Sequence, residues 1–229
     1  MLLADLSKDK LYILSSSGVP NGAIFSKIIT FVTAYKIKFI KNYNNPIVTH
    51  IALLANHNNK WHIHEIDLGG KITKLFFLQE NKKYYISPIG DISDNEKTLI
   101  LDEYSDSQDK NIIKLIIRYP FLKAAASYEL PEINFLNKII NKVINYIRDI
   151  YESTLKLFGV KERLYCVEAA LHTIRDINYH RISLANNQNY ILLNIGSNLL
   201  KKIKDQNYRL DEIYPQDIID NMQYFELQN

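Results

Sequence analysis

Cysteine is nearly absent from this chain: there is one in 229 residues, Cys166. A single thiol cannot close an intramolecular disulfide, so nothing calls for an oxidising compartment. Long apolar runs are missing as well. The longest, Ala23 to Tyr35, is interrupted by Ser26, Lys27 and two threonines, and it falls short of the roughly 20 apolar residues a membrane span requires. The opening MLLADLSKDKLYIL has no basic stretch leading into an apolar one, which reads as no signal peptide. Neither sign of charge dominates. With 28 basic and 25 acidic residues, a net of +3, the balance is too even to mark a nucleic-acid partner. Clusters such as Lys201-Lys202-Ile203-Lys204 read as solvated helix faces, and no repeat period is visible. These absences lead to the expectation of a soluble, cytoplasmic chain with no integral membrane segment.

What is present is ample core material, 47% hydrophobic, enough for one packed domain over 1–229. Lys10 to Ser15 reads as a strand, and Ala23 to Lys36 as a helix after a Gly/Pro loop. Thr49 to Leu54 and Lys60 to Ile66 read as two strands. Between them Asn56-His57-Asn58-Asn59 has hairpin chemistry, because asparagine tolerates left-handed backbone angles. Further strands are expected over Ile72 to Leu78, Lys83 to Ile86 and Ile112 to Arg118. The polar, acidic segment 89–110 reads as a loop insertion with little structure. From Pro131 to Phe158 apolar residues recur at helical spacing up to Gly159, and a second amphipathic helix is expected from Tyr165 to Ile177. Strands early and helices late indicate an α+β fold, an antiparallel β-sheet or small barrel packed on helices.

Taken alone, a lone cysteine is usually a small buried apolar residue. The position of Cys166 gives it a second reading. It follows Lys161-Glu162-Arg163 and falls in the first turn of an expected helix, where unpaired N–H groups and the helix dipole favour a thiolate. The same N–H groups suit the oxyanion of an attacked carbonyl. A thiol nucleophile also needs a base, normally histidine, held by a third group. His57 is expected in an exposed turn, and His172 on a different face of the cysteine's own helix. His50 opens an apolar strand, where it is either a hydrogen-bonded strand end or the base. His62 and His64 share one face of the next strand and Glu65 takes the other. If the Glu65 face points at the helix, its carboxylate can orient His50 across the hairpin.

The run Thr49-His50-Ile51-Ala52-Leu53-Leu54, then His64-Glu65-Ile66-Asp67-Leu68-Gly69-Gly70, and later Tyr165-Cys166-Val167-Glu168-Ala169-Ala170, resembles the circularly permuted papain-like hydrolases. These are the YiiX-type branch of the NlpC-like superfamily, which includes lecithin:retinol acyltransferase and poxvirus-encoded members. The resemblance implies His50 as general base, Glu65 as orienting acid and Cys166 as nucleophile. Tyr165 and Glu168 match the residues that flank the nucleophile and line the site. Tyr214-Pro215-Gln216-Asp217-Ile218 resembles the family's Pro-x-Asp-Leu segment near the C-terminus. The order histidine, acid, cysteine is reversed from ordinary papain. This sequence departs from the pattern at Ala52, Ile66 and Val167, in place of glycine, alanine and serine, which puts the pocket shape in question.

The implied activity is that of a cysteine hydrolase or acyltransferase: an amidase, thiol protease or (thio)esterase working through an acyl-cysteine. It needs no cofactor or metal, and its substrate is a peptide, a lipid amide or an acylated molecule. Two other readings stand beside it. His62 and His64, with His50 adjacent, have a spacing that permits a three-histidine zinc site. The chain is alternatively a non-enzymatic interaction protein on an inactivated scaffold.

Overall fold

Near-continuous apolar or alternating runs set the strands. Lys10–Ser17 (β1) is buried along six consecutive positions, as a strand covered on both faces must be. The computed structural model describes residues 1–17, 43–67, 70–80, 82–105, 135, 138–139, 141–143, 146, 166–184, 192–196, 213 and 215–228. The expected helix over 23–36 and strand over 112–118 lie outside them. The remaining strands are His50–His57 (β2), Lys60–Asp67 (β3), Gly70–Leu75 (β4), Lys83–Asp91 (β5) and Phe225–Leu227 (β6). They form one sheet in the order β4-β3-β2-β1-β5-β6, and every pairing of these strands is antiparallel. The sheet is open, edged by β4 and β6, and is not a closed barrel. With the helices below it makes a mixed α+β structure.

The β2–β3 hairpin turns on Asn58 and Asn59, at φ 51° and 62°, between the paired His57 and Lys60. This is the left-handed two-residue turn that asparagine supplies at low steric cost. Helix α1, Asp94–Glu103, stands where part of the expected loop at 89–110 was placed, and residues 106–110 of that loop lie outside the described residues. β5 runs on to Asp91, and the helix then starts at a capping box in which Ser93 and Glu96 satisfy each other's backbone N–H groups. The signal was in the sequence, Ser93 followed three residues later by Glu96, but the surrounding acidic residues masked it.

Helix α2, Cys166–Leu184, lies on one sheet face. Its Cys166, Val167, Ala170, Leu171, Ile174 and Ile177 share a buried cluster with Leu11 and Ile13 of β1 and Ile51, Leu53 and Ala55 of β2. Arg181 anchors its far end, donating from Nε to Glu96 Oε1 at 2.6 Å and from Nη2 to Glu96 Oε2 at 2.9 Å and to the Asp91 carbonyl at 2.6 Å. One carboxylate thus caps α1 and fastens α2 to it. The opposite sheet face has its own cluster, drawn from Tyr12, Leu14, Ala52, Leu54, Ile63, Phe76, Tyr84, Ile86 and Leu227. The short helix α3, Pro215–Asn221, follows late in the chain and leads into β6. Of the helix expected over 131–158, positions 135, 138–139, 141–143 and 146 are described, and all are helical. No helix among the described residues is long and apolar enough to cross a membrane.

Candidate active site

His50 is the first residue of β2 and pairs with Ser16 of β1. The β2–β3 register runs to Leu53 opposite His64. Extended one step, it sets Glu65 opposite Ala52 and makes His50 its diagonal neighbour on the same face, within reach of a long side chain. The carboxylate closes that gap: His50 Nε2 and Glu65 Oε2 are 2.7 Å apart. Glu65 is buried, and its second oxygen is ion-paired with Lys74 of β4. Lys74 stands opposite Ile63, and so reaches Glu65 along the other diagonal. Sequence reasoning missed Lys74, because its place depends on the β3–β4 register and not on any local motif.

Cys166 starts α2 and is 7% exposed. Its sulfur lies near enough to His50 to raise the imidazole, both as a hydrogen-bonding group and by its charge. Glu65 holds Nε2, which leaves Nδ1 as the ring nitrogen for the sulfur. Burial alone lowers the His50 imidazole, but the hydrogen bond to Cys166, then that to Glu65, and the charges of both outweigh it and push it up to about 10. For Glu65 burial works upward. The hydrogen bonds and charges of His50 and Lys74 win, taking the carboxyl down to about 2. The side chains therefore form a line, sulfur to imidazole to carboxylate to ammonium.

The face assignment differs from the sequence expectation in one respect. Glu65 does not point at α2. The helix covers the face of Ile51, Leu53 and Ala55, and strand alternation puts Glu65 and His50 on the other. They meet Cys166 because His50 lies at the strand's end, beside the first residue of the helix. Glu168, two residues along, is buried and has His172 Nε2 at 3.9 Å. Tyr165 lies outside the described residues.

The segment entering His50 is clamped from α3. Gln216, buried, accepts the Val48 N–H at 3.1 Å and donates to the Pro46 carbonyl at 3.0 Å and to the Tyr43 hydroxyl. The Thr49 N–H donates to the Ser16 carbonyl at 3.0 Å. Gln216 belongs to the tail stretch singled out by resemblance, yet its bond to the histidine strand follows only from tertiary packing. A cavity of about 260 Å³ opens beside His50 and Glu65, walled by Leu14, Ala52, Ile63, Phe76 and Tyr84 with Lys74 at its edge.

The other histidines are elsewhere. His57 is not an exposed turn residue: it is 7% exposed, and its Nε2 lies 2.9 Å from Nε2 of the fully buried His64. His64 Nδ1 is 2.8 Å from Thr73 Oγ1, directly across the β3–β4 pair. Burial, then the charges of His62 and Lys97, hold His57 down at about 4; burial, then His57 and His62, hold His64 down at about 3. His62 shares this face, and its ring centroid is 5.2 Å from that of His57. His50 is on the opposite face, so the trio His50, His62 and His64 does not converge. Among the described residues no group of three or more His, Cys, Asp or Glu is placed to hold a metal.

No protein-family model matches the chain, and no curated protein or solved structure matches it either.

Proposed function

We propose that the chain is a cysteine hydrolase or acyltransferase of permuted papain-like architecture, working through an acyl-cysteine. The observation that carries this reading is the contact line from Cys166, at a helix start, through His50 to Glu65. In the proposed reaction the proton shared by the Cys166–His50 pair already rests on the imidazole, which is held up at about 10, and the sulfur attacks a carbonyl carbon. A C–S bond forms, and the carbonyl π pair moves onto oxygen. Backbone N–H groups in the first turn of α2, which have no intrahelical acceptor, stabilise that oxyanion. As the tetrahedral species collapses, the bond to the leaving group breaks and His50 gives its proton to that group. Water or another acceptor then gives a proton to His50, attacks the acyl carbon and releases the sulfur. Glu65 keeps Nε2 engaged and Nδ1 directed at the sulfur throughout, and Lys74 keeps Glu65 charged.

The substrate would be a peptide, a lipid amide or an acylated molecule, and the 260 Å³ cavity beside His50 is where part of it would sit. Labelling by acyl and peptidyl electrophile probes tests the reading. Covalent modification of Cys166 that is lost in His50→Ala is the expected result. Modification that occurs only in unfolded protein, or not at all, overturns it.

A further inference from the structure

Ser16 carries a buried hydroxyl with nothing to bond. It is 2% exposed, and its Oγ has no hydrogen-bond partner among the described residues. Buried polar atoms are nearly always bonded, so such an atom needs an explanation. The sheet supplies one. Ser16 of β1 stands directly between His50 of β2 and Tyr84 of β5, so one small side chain separates two rings in a cross-strand row. Ser16, His50, Glu65 and Tyr84 all line the cavity of about 260 Å³, and Ser16 lies at its floor. The walls are apolar, with Phe76 and Tyr84 in edge-to-face contact at 5.2 Å between ring centroids. Phe77, 70% exposed, lines the cavity from the surface side. An apolar approach thus leads through apolar walls to a single unbonded hydroxyl.

We propose that this cavity binds one aromatic ring bearing an uncharged hydrogen-bonding group, a phenol-like group, with its polar atom on Ser16 Oγ. Size, walls and floor each select this occupant. A cavity of about 150 Å³ accommodates benzene, so about 260 Å³ takes a substituted ring. Phe76 and Tyr84 offer the ring faces and edges that aromatic guests pack against. The polar group is uncharged because of Glu65. That carboxylate already holds His50 and Lys74, so it has no need of a third cation, and it would repel an anion. The serine hydroxyl both donates and accepts, as a phenol does. The ring sits on the carboxylate side of the His50 imidazole, away from the sulfur, and so anchors a part of the substrate remote from the reacting carbonyl. That use of the site rests on the hydrolase reading; the binding itself does not.

The test is titration of the full chain with 4-methylphenol, toluene, 4-methylbenzoate and 1-hexanol, followed by proton–nitrogen NMR of the backbone amides. The expected result is that 4-methylphenol shifts the Ser16, Ala52 and Tyr84 amides and binds about tenfold more tightly than toluene. Ser16→Ala should bring those two ligands to equal affinity, and 4-methylbenzoate and 1-hexanol should bind more weakly than the phenol. Phe77→Ser, at an exposed position that does not threaten the fold, should weaken both ring ligands severalfold. Four results overturn the proposal: no binding of 4-methylphenol, shifts confined to other parts of the chain, a preference over toluene that is absent from wild type or survives in Ser16→Ala, or tighter binding of 1-hexanol or 4-methylbenzoate. Every arm reads binding without turnover. Their failure leaves the hydrolase reading standing, and failure of electrophile labelling at Cys166 leaves this cavity's ligand standing.

Discussion

Replacing Cys166 with alanine tests the central contact without needing a substrate. The sulfur is the largest influence raising His50, ahead of Glu65, against a burial effect that lowers it. Displacement of the imidazole from 6.5 to about 10 corresponds, at about 1.4 kcal/mol per pH unit, to at most roughly 5 kcal/mol between its two protonation states. Cys166→Ala removes the sulfur's part and leaves that of Glu65, so His50 should titrate well below the wild-type midpoint. Adding Glu65→Gln should bring it to the ordinary histidine range or lower, because burial then acts unopposed. The linkage has a definite sign. The folded value exceeds the unfolded one, so the stabilisation is complete below about pH 6.5 and is lost as pH rises towards 10. Wild type should therefore lose more stability than Cys166→Ala between pH 7 and 10. Long-range proton–nitrogen NMR of the imidazole gives the midpoint, and urea unfolding across that range gives the stability. A His50 midpoint that is the same in wild type and Cys166→Ala would refute the contact and leave the thiol as core filling.

Iodoacetamide should modify Cys166 in the native protein, and His50→Ala should slow the reaction about tenfold or more; mass spectrometry of the labelled thiol follows it. His57 and His64 are held neutral by burial with folded values of about 4 and 3, below the unfolded 6.5. Their stabilising effect is thus present above pH 6.5 and is lost as pH falls towards 3. Acid unfolding should begin below pH 6, and His64→Asn should shift its midpoint to lower pH; an unchanged midpoint would discount the pair. Arg181→Met leaves Glu96 buried without its cation and should cost about 3–5 kcal/mol, as measured by chemical denaturation, with Glu96→Gln milder because glutamine still closes the capping box. Gln216→Leu strands the buried Val48 N–H and should cost about 1–3 kcal/mol. It should also broaden the His50 NMR signal if the clamp positions that residue.

The strands could be read from the chain because each carries a local pattern: the apolar run of 11–14, the alternation of 60–66, and the paired asparagines whose positive φ a two-residue hairpin demands. Cys166, His50 and Glu65 were legible as residue types in a particular order, and strand alternation alone placed His62 and His64 on the face away from Glu65. Which face the helix would cover was not legible. Alternation has two phases, and the choice between them is made by Val167, Ala170 and Ile174, more than a hundred residues away. The burial of His57 depends on the same choice. The partnership of Lys74 with Glu65 needs the register of a third strand. The hold of Gln216 on the chain before His50 needs α3 to pack on Val48. Arg181 reads in sequence as an ordinary basic residue near a helix end. It becomes an anchor only because Glu96 is buried within 2.6 Å of it, a distance set by the packing of two elements that share no local pattern.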